Sequence, residues 1–216
     1  LEVDLRMALG HGAAAAGLLA NAPHHSAVDL RRARLALLRG NFAEVLDYDL
    51  GVREHSPRFR AEMGLMRAAA LRELGRAEAA RTLDEQVAHV MHAYGLRSPW
   101  AALPAALRPA ELALHPSDPA LRPGDPAPRP GDPALELGGL DVPAVFPDSL
   151  EVVELTPSED VVLDGLAAGF SAEEIAEQAY LSVNTIKTHT RTLYRKLGVS
   201  SRLEALARAR ALGLRD

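Results

Sequence analysis

Between Ser182 and Gly198 the sequence runs Val-Asn-Thr-Ile-Lys-Thr-His-Thr-Arg-Thr-Leu-Tyr-Arg-Lys-Leu, and its side chains sort onto two faces. Val183, Ile186, Thr190, Leu193 and Leu197 recur at intervals of three and four, so on a helix they face inward. The opposite side carries Asn184, Lys187, Thr188, Arg191 and Arg195, with no acid among them. Amide, hydroxyl, ammonium and guanidinium groups in one row donate hydrogen bonds; they neither break nor form covalent bonds. They suit a polyanion. The surrounding charge is segregated in the same sense. From Thr156 to Leu181 there are six acids (Glu159, Asp160, Asp164, Glu173, Glu174 and Glu177) and no Lys or Arg. From Ser182 to Arg215 there are eight bases (Lys187, Arg191, Arg195, Lys196, Arg202, Arg208, Arg210 and Arg215) against Glu204 alone. A polyanion would meet one side of such a dipolar unit, and phosphate contacts would make the binding fall steeply with salt.

Other chemistry finds little support. No acid pair, nucleophile–base constellation or phosphate-cradling Gly-x-x-x-x-Gly-Lys-[Ser/Thr] loop stands out, so the chain reads as a non-enzyme with no catalytic residue and no cofactor. It has no cysteine, which removes disulfide scaffolds, cysteine-ligated zinc and thiol catalysis. Glu85, His89 and His92 could place three ligands along one helix face. No fourth ligand accompanies them, and the segment reads as an exposed polar face with no metal. Arg31, Arg32 and Arg34 read as a solvated helix face.

The elements that position the donors are helices. The chain has 216 residues, 48% apolar and only 4% aromatic; Ala, Leu, Arg and Glu dominate, and no alternating strand pattern appears. The fold class is all-α. No apolar run approaches the roughly 18–20 residues of a membrane span, so the protein is expected to be cytoplasmic with no membrane partner. The formal net charge of -5 argues weakly against nucleic acid, but the average hides the segregation just described. The chain opens on Leu1 and is read as an N-terminally incomplete piece of a longer protein.

Three regions follow. Residues 1–114 are expected to be helical repeats, residues 115–149 a linker, and residues 150–216 a compact helical domain. Twelve of the fifteen prolines lie between Pro99 and Pro147, and Arg-Pro-Gly-Asp-Pro-Ala occurs twice, at 122–127 and 129–134. Proline removes the helical donor and restricts its predecessor, so this stretch reads as a semi-rigid tether that couples its neighbours loosely. Before it, Leu9-Gly10-His11, Leu38-Arg-Gly40-Asn-Phe-Ala-Glu44 and Leu74-Gly75-Arg-Ala-Glu78 each look like a helix ending in Gly with a second helix following. Helix pairs are expected at 1–20, 27–54 and 58–94, with a short helix near 99–114. The spacing of Gly40 and Gly75 is close to a tetratricopeptide period, and these turns resemble that repeat, which implies a curved surface for an effector or protein partner.

In the last region the helix signals are explicit. Thr156-Pro-Ser-Glu159, Ser171-Ala-Glu-Glu174 and Ser201-Arg-Leu-Glu204 combine N-caps with a capping-box Glu, Ser182 caps the basic helix, and Gly169, Gly198 and Gly213 end elements. Four short helices with a helix-turn-helix in the middle are expected. Glu159 is a cap that could also pair with Arg202.

These blocks, Leu155-Thr-Pro-Ser-Glu159, Gly169-Phe-Ser-Ala-Glu-Glu-Ile-Ala176, Ser182-Val-Asn-Thr-Ile-Lys-Thr-His189 and Lys196-Leu-Gly-Val-Ser-Ser-Arg202, resemble the LuxR/FixJ-type helix-turn-helix of bacterial transcriptional regulators. The upstream repeats resemble those of MalT-like activators, whose ATPase module would have to precede Leu1. The resemblance implies a DNA-binding transcriptional regulator that meets double-stranded DNA as a homodimer, with the third helix of this domain in the major groove and RNA polymerase as a further candidate partner. It carries base contacts onto Lys187, Thr188 and Arg191, backbone contacts onto Asn184, Thr185, His189 and Arg195, and dimer contacts onto Leu203, Leu206, Ala207 and Arg210. The chain departs from the family at two places: where Ser158 stands the family usually has a base, which implies one phosphate contact fewer, and where Tyr180-Leu181 stands it has a Leu or Gly-type turn. Sigma factor region four opens with a similar Leu-Thr-x-x-Glu, so a protein-interaction module with little autonomous DNA binding is the alternative.

Overall fold

The computed structural model describes residues 1–48, 56–109 and 143–215, and every regular element among them is helical. The first body contains α1 (Glu2–Ala8), α2 (Gly12–Ala20), α3 (Ser26–Leu38), α4 (Phe42–Asp47), α5 (Pro57–Glu73), α6 (Ala77–Ala93), α7 (Ser98–Ala101) and a 3₁₀ turn at Ala105–Leu107. The expected helix pairs correspond to α1/α2, α3/α4 and α5/α6, although the end of the second pair and residues 110–114 fall outside the described residues.

The turns inside the pairs share one geometry. Gly10, Gly40 and Gly75 have φ of +83°, +76° and +73°, a region open to glycine at no steric cost. The next residue then returns its N–H five positions back: His11 to Arg6, Asn41 to Ala36 and Arg76 to Leu71, each at 2.8 Å. This satisfies a carbonyl that the helix end leaves orphaned and turns the chain so that the next helix packs antiparallel. The resulting core contains Leu37, Val45, Met63, Met66, Val87, Met91, Trp100 and Leu103.

Charge is buried where the helices meet. Arg34 and Glu62 are 5% and 7% exposed and bond at 2.7 Å; Arg34 also reaches Asp4 at 3.0 Å, and Arg58 reaches Glu62 at 2.9 Å. The expectation of a solvated face therefore fails at Arg34. The side of α3 that carries it is covered by α1 and α5, and each of those helices supplies a carboxylate. His89 departs from expectation in the same way: it is 6% exposed and turned into the body, because α6 packs along α5 rather than lying on the surface.

Of the expected linker, residues 115–142 lie outside the described residues, while 143–149 are packed on the first body. Phe146 and Leu150 join Met7, Leu19, Leu35 and Leu38 in a second cluster. The N–H of Val145 donates to the Ala101 carbonyl at 2.9 Å, and that of Leu150 to the Leu38 carbonyl at 2.7 Å. The Pro/Gly/Asp repeats have no apolar anchors of this kind; Phe146 and Leu150 supply them. The chain then crosses α2 at Gly12, where a Cβ would stand 2.8 Å from Val152 Cγ2 and 2.9 Å from the Glu151 carbonyl oxygen.

The C-terminal body is built from α8 (Pro157–Ala168), α9 (Ala172–Gln178), α10 (Val183–Leu197) and α11 (Arg202–Ala211). Its core contains Val162, Leu163, Ile175, Ile186, Leu193, Leu197, Ala205, Ala209 and Leu212. All three capping boxes form as spelled, at Thr156/Glu159, Ser171/Glu174 and Ser201/Glu204. This body is docked on the first: Arg39 pairs with Glu154 at 3.3 Å, and Gly213 lies against the His11 side chain. The loose coupling expected of a tether does not describe this contact.

Candidate nucleic-acid interface

The basic helix is held from below by its apolar face. Ile186 and Leu193 have no exposed surface and Leu197 has 3%, so α10 cannot rotate without opening the core. Its polar face then points outward by default: Asn184, Lys187, Thr188, Arg191 and Arg195 are all exposed, while Thr185 and His189 are half-buried at its margins.

Hydrogen bonds along the helix select what each side chain can offer. The Thr188 hydroxyl donates to the Asn184 carbonyl at 3.0 Å, so the group left facing out is its methyl. The Ser182 Oγ accepts from the Thr185 N–H at 3.1 Å and lies 2.8 Å from the Thr185 Oγ1. That cap fixes the start of α10, where the helix dipole is positive and no acidic residue stands in the first turn. An anion is favoured at such an end.

The structure divides the eight bases into two groups. Lys196 donates to Glu159 at 2.6 Å, Arg202 caps α8 by donating to the Leu166 and Phe170 carbonyls, and Arg208 pairs with Glu151. Arg215 bridges Asp160 and Asp164, each at 2.6 Å. Lys187, Arg191, Arg195 and Arg210 have no ion-pair partner among the described residues. The first three of these occupy one face of α10. Three of the eight bases are thus neutralised by ion pairs and Arg202 is held by carbonyls, and three of the remaining four cations stand together on the donor row.

The expected Glu159–Arg202 pairing is replaced by Glu159–Lys196. Glu159 is 3% exposed; burial pushes its pKa up, but the Lys196 ammonium and the Thr156 N–H outweigh that, and the carboxyl ends below its ordinary value. A depressed folded pKa means that the contribution is complete above the unfolded value of about 4.3 and is lost as pH falls through the folded one. Glu174 and Glu204 are also lowered, by hydrogen bonds from Ser171 and Ser200 respectively. Thermal melts of the wild type and Glu159→Gln between pH 7 and pH 3 should therefore converge as acid is added, with the variant the less stable at neutral pH. Parallel curves would show that the Glu159 charge contributes nothing.

Packing of α9 against α10 completes a helix-turn-helix. The turn has a feature that patterning did not reveal: Tyr180 has φ of +55° and is 95% exposed. Leu181 returns its N–H to the Ala176 carbonyl at 2.9 Å, the same closure seen at the glycine turns, here with a tyrosine in the left-handed position. On α11, Leu203 is 80% exposed, with Ala207 and Arg210 exposed beside it on the same face. Leu206 instead packs half-buried against the module's own core. Among the described residues no group of three His, Cys, Asp or Glu side chains could hold a metal ion, and no helix is long and apolar enough to cross a membrane.

Residues 153–209 match the family described as bacterial regulatory proteins, luxR family. The HTH-type transcriptional regulator MalT of Yersinia pestis (strain Pestoides F) is 41% identical over 66 residues, which are 31% of this chain and 7% of that protein. The proteins of the same name from Yersinia pseudotuberculosis serotype O:1b (strain IP 31758) and Serratia proteamaculans (strain 568) match with the same identity and coverage. The match thus spans a small fraction of these relatives. No solved structure matches the chain significantly.

Proposed function

We propose, from the luxR-type helix-turn-helix domain at residues 153–209, that this chain belongs to a transcriptional regulator that binds specific duplex DNA as a homodimer. The observation that carries the reading is the row of unpartnered cations on the exposed face of α10, set on a helix whose other face is core. In this reading α10 enters the major groove. Lys187 and Arg191 donate to guanine O6 and N7, and the Thr188 methyl meets a thymine methyl. Asn184, Thr185, His189 and Arg195 hold the phosphate backbone and set the register. The exposed face of α11 (Leu203, Ala207 and Arg210, with Leu206 at its edge) meets a second copy. The first helical body acts as a tetratricopeptide-like surface for an effector or protein partner, with RNA polymerase a further partner, and the protein works in the cytoplasm.

Selection from a random duplex pool with the full chain at physiological salt tests this. The expected product is a two-fold motif with half-sites about one helical turn apart; no enrichment by folded protein would reject autonomous DNA binding and favour the sigma-like interaction module. On the selected site, Arg191→Ala should cost about 1–3 kcal/mol and relax base preference at one position. Arg195→Ala should weaken all sequences alike and reduce the salt slope by about one. Equal, salt-independent losses for both variants, measured by titration at several salt concentrations, would overturn the assignment of roles.

A further inference from the structure

Helices α1, α3, α5 and α7 share one wall of the first body, and the chain's own Val145–Phe146 lies along it. We propose that the segment Pro143–Leu150 is an intramolecular occupant of a peptide-binding trough, displaced by a partner segment that carries an aromatic anchor beside a carboxylate. The inference rests on the reading of the helical body as a partner-binding surface and names the chemistry of that partner.

The segment is held as a bound peptide is held. It forms neither helix nor strand, and Pro143 and Pro147 restrict its backbone in advance. Main-chain N–H groups of Val145 and Leu150 donate to carbonyls of the helical body. The Asp148 carboxylate accepts from the Ala106 N–H at 3.0 Å. Phe146 and Leu150 are each 6% exposed, whereas Val145, just before the first anchor, is 55% exposed. Backbone hydrogen bonds with spaced side-chain anchors are the ordinary mode of extended-peptide recognition.

The fit is incomplete in a particular way. The Phe146 ring stacks 4.6 Å from the Arg34 guanidinium, yet the Arg34 Nε is buried with no acceptor. Beside the ring a cavity of about 470 Å³ remains, lined among others by Asp4, Arg31, Arg34, Arg58 and Glu62. Two carboxylates face three guanidiniums there, and a buried donor without an acceptor costs stability. The segment's own acid cannot help, because Asp148 is engaged at Ala106. An incoming peptide with an acid adjacent to its aromatic residue would supply the missing acceptor. Its arrival would also disturb the DNA-binding body, since Glu151, Val152 and Glu154, which follow the segment directly, make the contacts to Arg208, Gly12 and Arg39.

The test is a fluorescein-labelled peptide of residues 143–152 titrated into the full chain, the full chain with Phe146→Ala, and the full chain with Asp148→Ala. The wild type should bind weakly, because its own segment competes at an effective concentration on the order of mM. The Phe146→Ala chain should bind at least about tenfold more tightly, and the Asp148→Ala chain, which keeps both apolar anchors, should shift in the same direction. A Val145→Asp peptide should bind more tightly than a Val145→Lys peptide. If circular dichroism shows either variant folded and neither gains affinity, the segment is ordinary core and the proposal fails. If Phe146→Ala alone unfolds, Asp148→Ala decides. Equal binding of the Asp and Lys peptides would overturn the acidic partner. No DNA enters the readout, so failure here leaves the DNA-binding reading to its own selection experiment.

Discussion

Leu193→Ala is expected to lower the stability of the C-terminal body by about 2–5 kcal/mol and to abolish the proposed duplex binding, although the side chain is wholly buried. Leu193 has no exposed surface and sits in the cluster with Val162, Ile175, Ile186 and Leu197. Truncation removes transfer free energy and leaves a cavity that close-packed neighbours fill only in part. A domain holds a net stability of only about 5–15 kcal/mol, so a loss of this size depletes it severely. Function is coupled to this because one helix carries both the core and the donor row: α10 is oriented only by what lies beneath it. Thermal denaturation and titration on the selected duplex should fall together for Leu193→Ala. Arg191→Ala, by contrast, should lose affinity with an unchanged melting temperature. A Leu193→Ala protein that melts late and binds normally would show that the core does not orient the donor row.

The second large effect lies in the first body. Glu62→Ala should cost about 3–5 kcal/mol, as removal of one partner of a buried ion pair does. Arg34 and Glu62 bond at 2.7 Å with both side chains almost wholly buried, and Asp4 at 3.0 Å is the only other carboxylate on Arg34 among the described residues. Without Glu62 the guanidinium stays out of water, half-compensated. The double variant Arg34→Met/Glu62→Leu should recover most of the loss, because replacing both charges with apolar groups of similar volume is often neutral. Chemical denaturation of Arg34→Met, Glu62→Leu and the double variant forms a mutant cycle. Additive losses would show that the pair is not coupled and that its burial has another origin.

The two predictions differ in how far the sequence alone anticipates them. Leu193 is legible because its neighbours Ile186, Thr190 and Leu197 repeat at three and four, and a repeating pattern survives without tertiary information. The capping boxes are legible for the same reason: Thr156 and Glu159, Ser171 and Glu174, Ser201 and Glu204 are local partners within one turn. So are the turns at Gly40 and Gly75, where a left-handed residue is required by the backbone itself. Helix existence, helix order and the composition of the donor row all follow from interactions between residues close in the chain.

The burial of Arg34 and His89, the ion-pair partner of Glu159 and the left-handed backbone at Tyr180 are not legible. Arg34 reads as a solvated base until α1 and α5 close over it with Asp4 and Glu62. Glu159 chooses Lys196, 37 positions away, over Arg202, because Arg202 is drawn to the carbonyl end of α8. Charge counting treats all eight C-terminal bases alike; the fold engages Lys196, Arg202, Arg208 and Arg215 and leaves Arg210 exposed on α11 and Lys187, Arg191 and Arg195 together on one exposed face of α10. The docking of residues 143–149 was hidden by their place at the end of a proline-rich stretch, since two apolar side chains do not alter a composition. Sequence by itself determined the helices, their caps and which residues share a face, because those depend on spacings of a few residues. Only the tertiary structure decided which charges remain free and where Pro143–Leu150 lies, because both depend on partners that folding brings from distant parts of the chain.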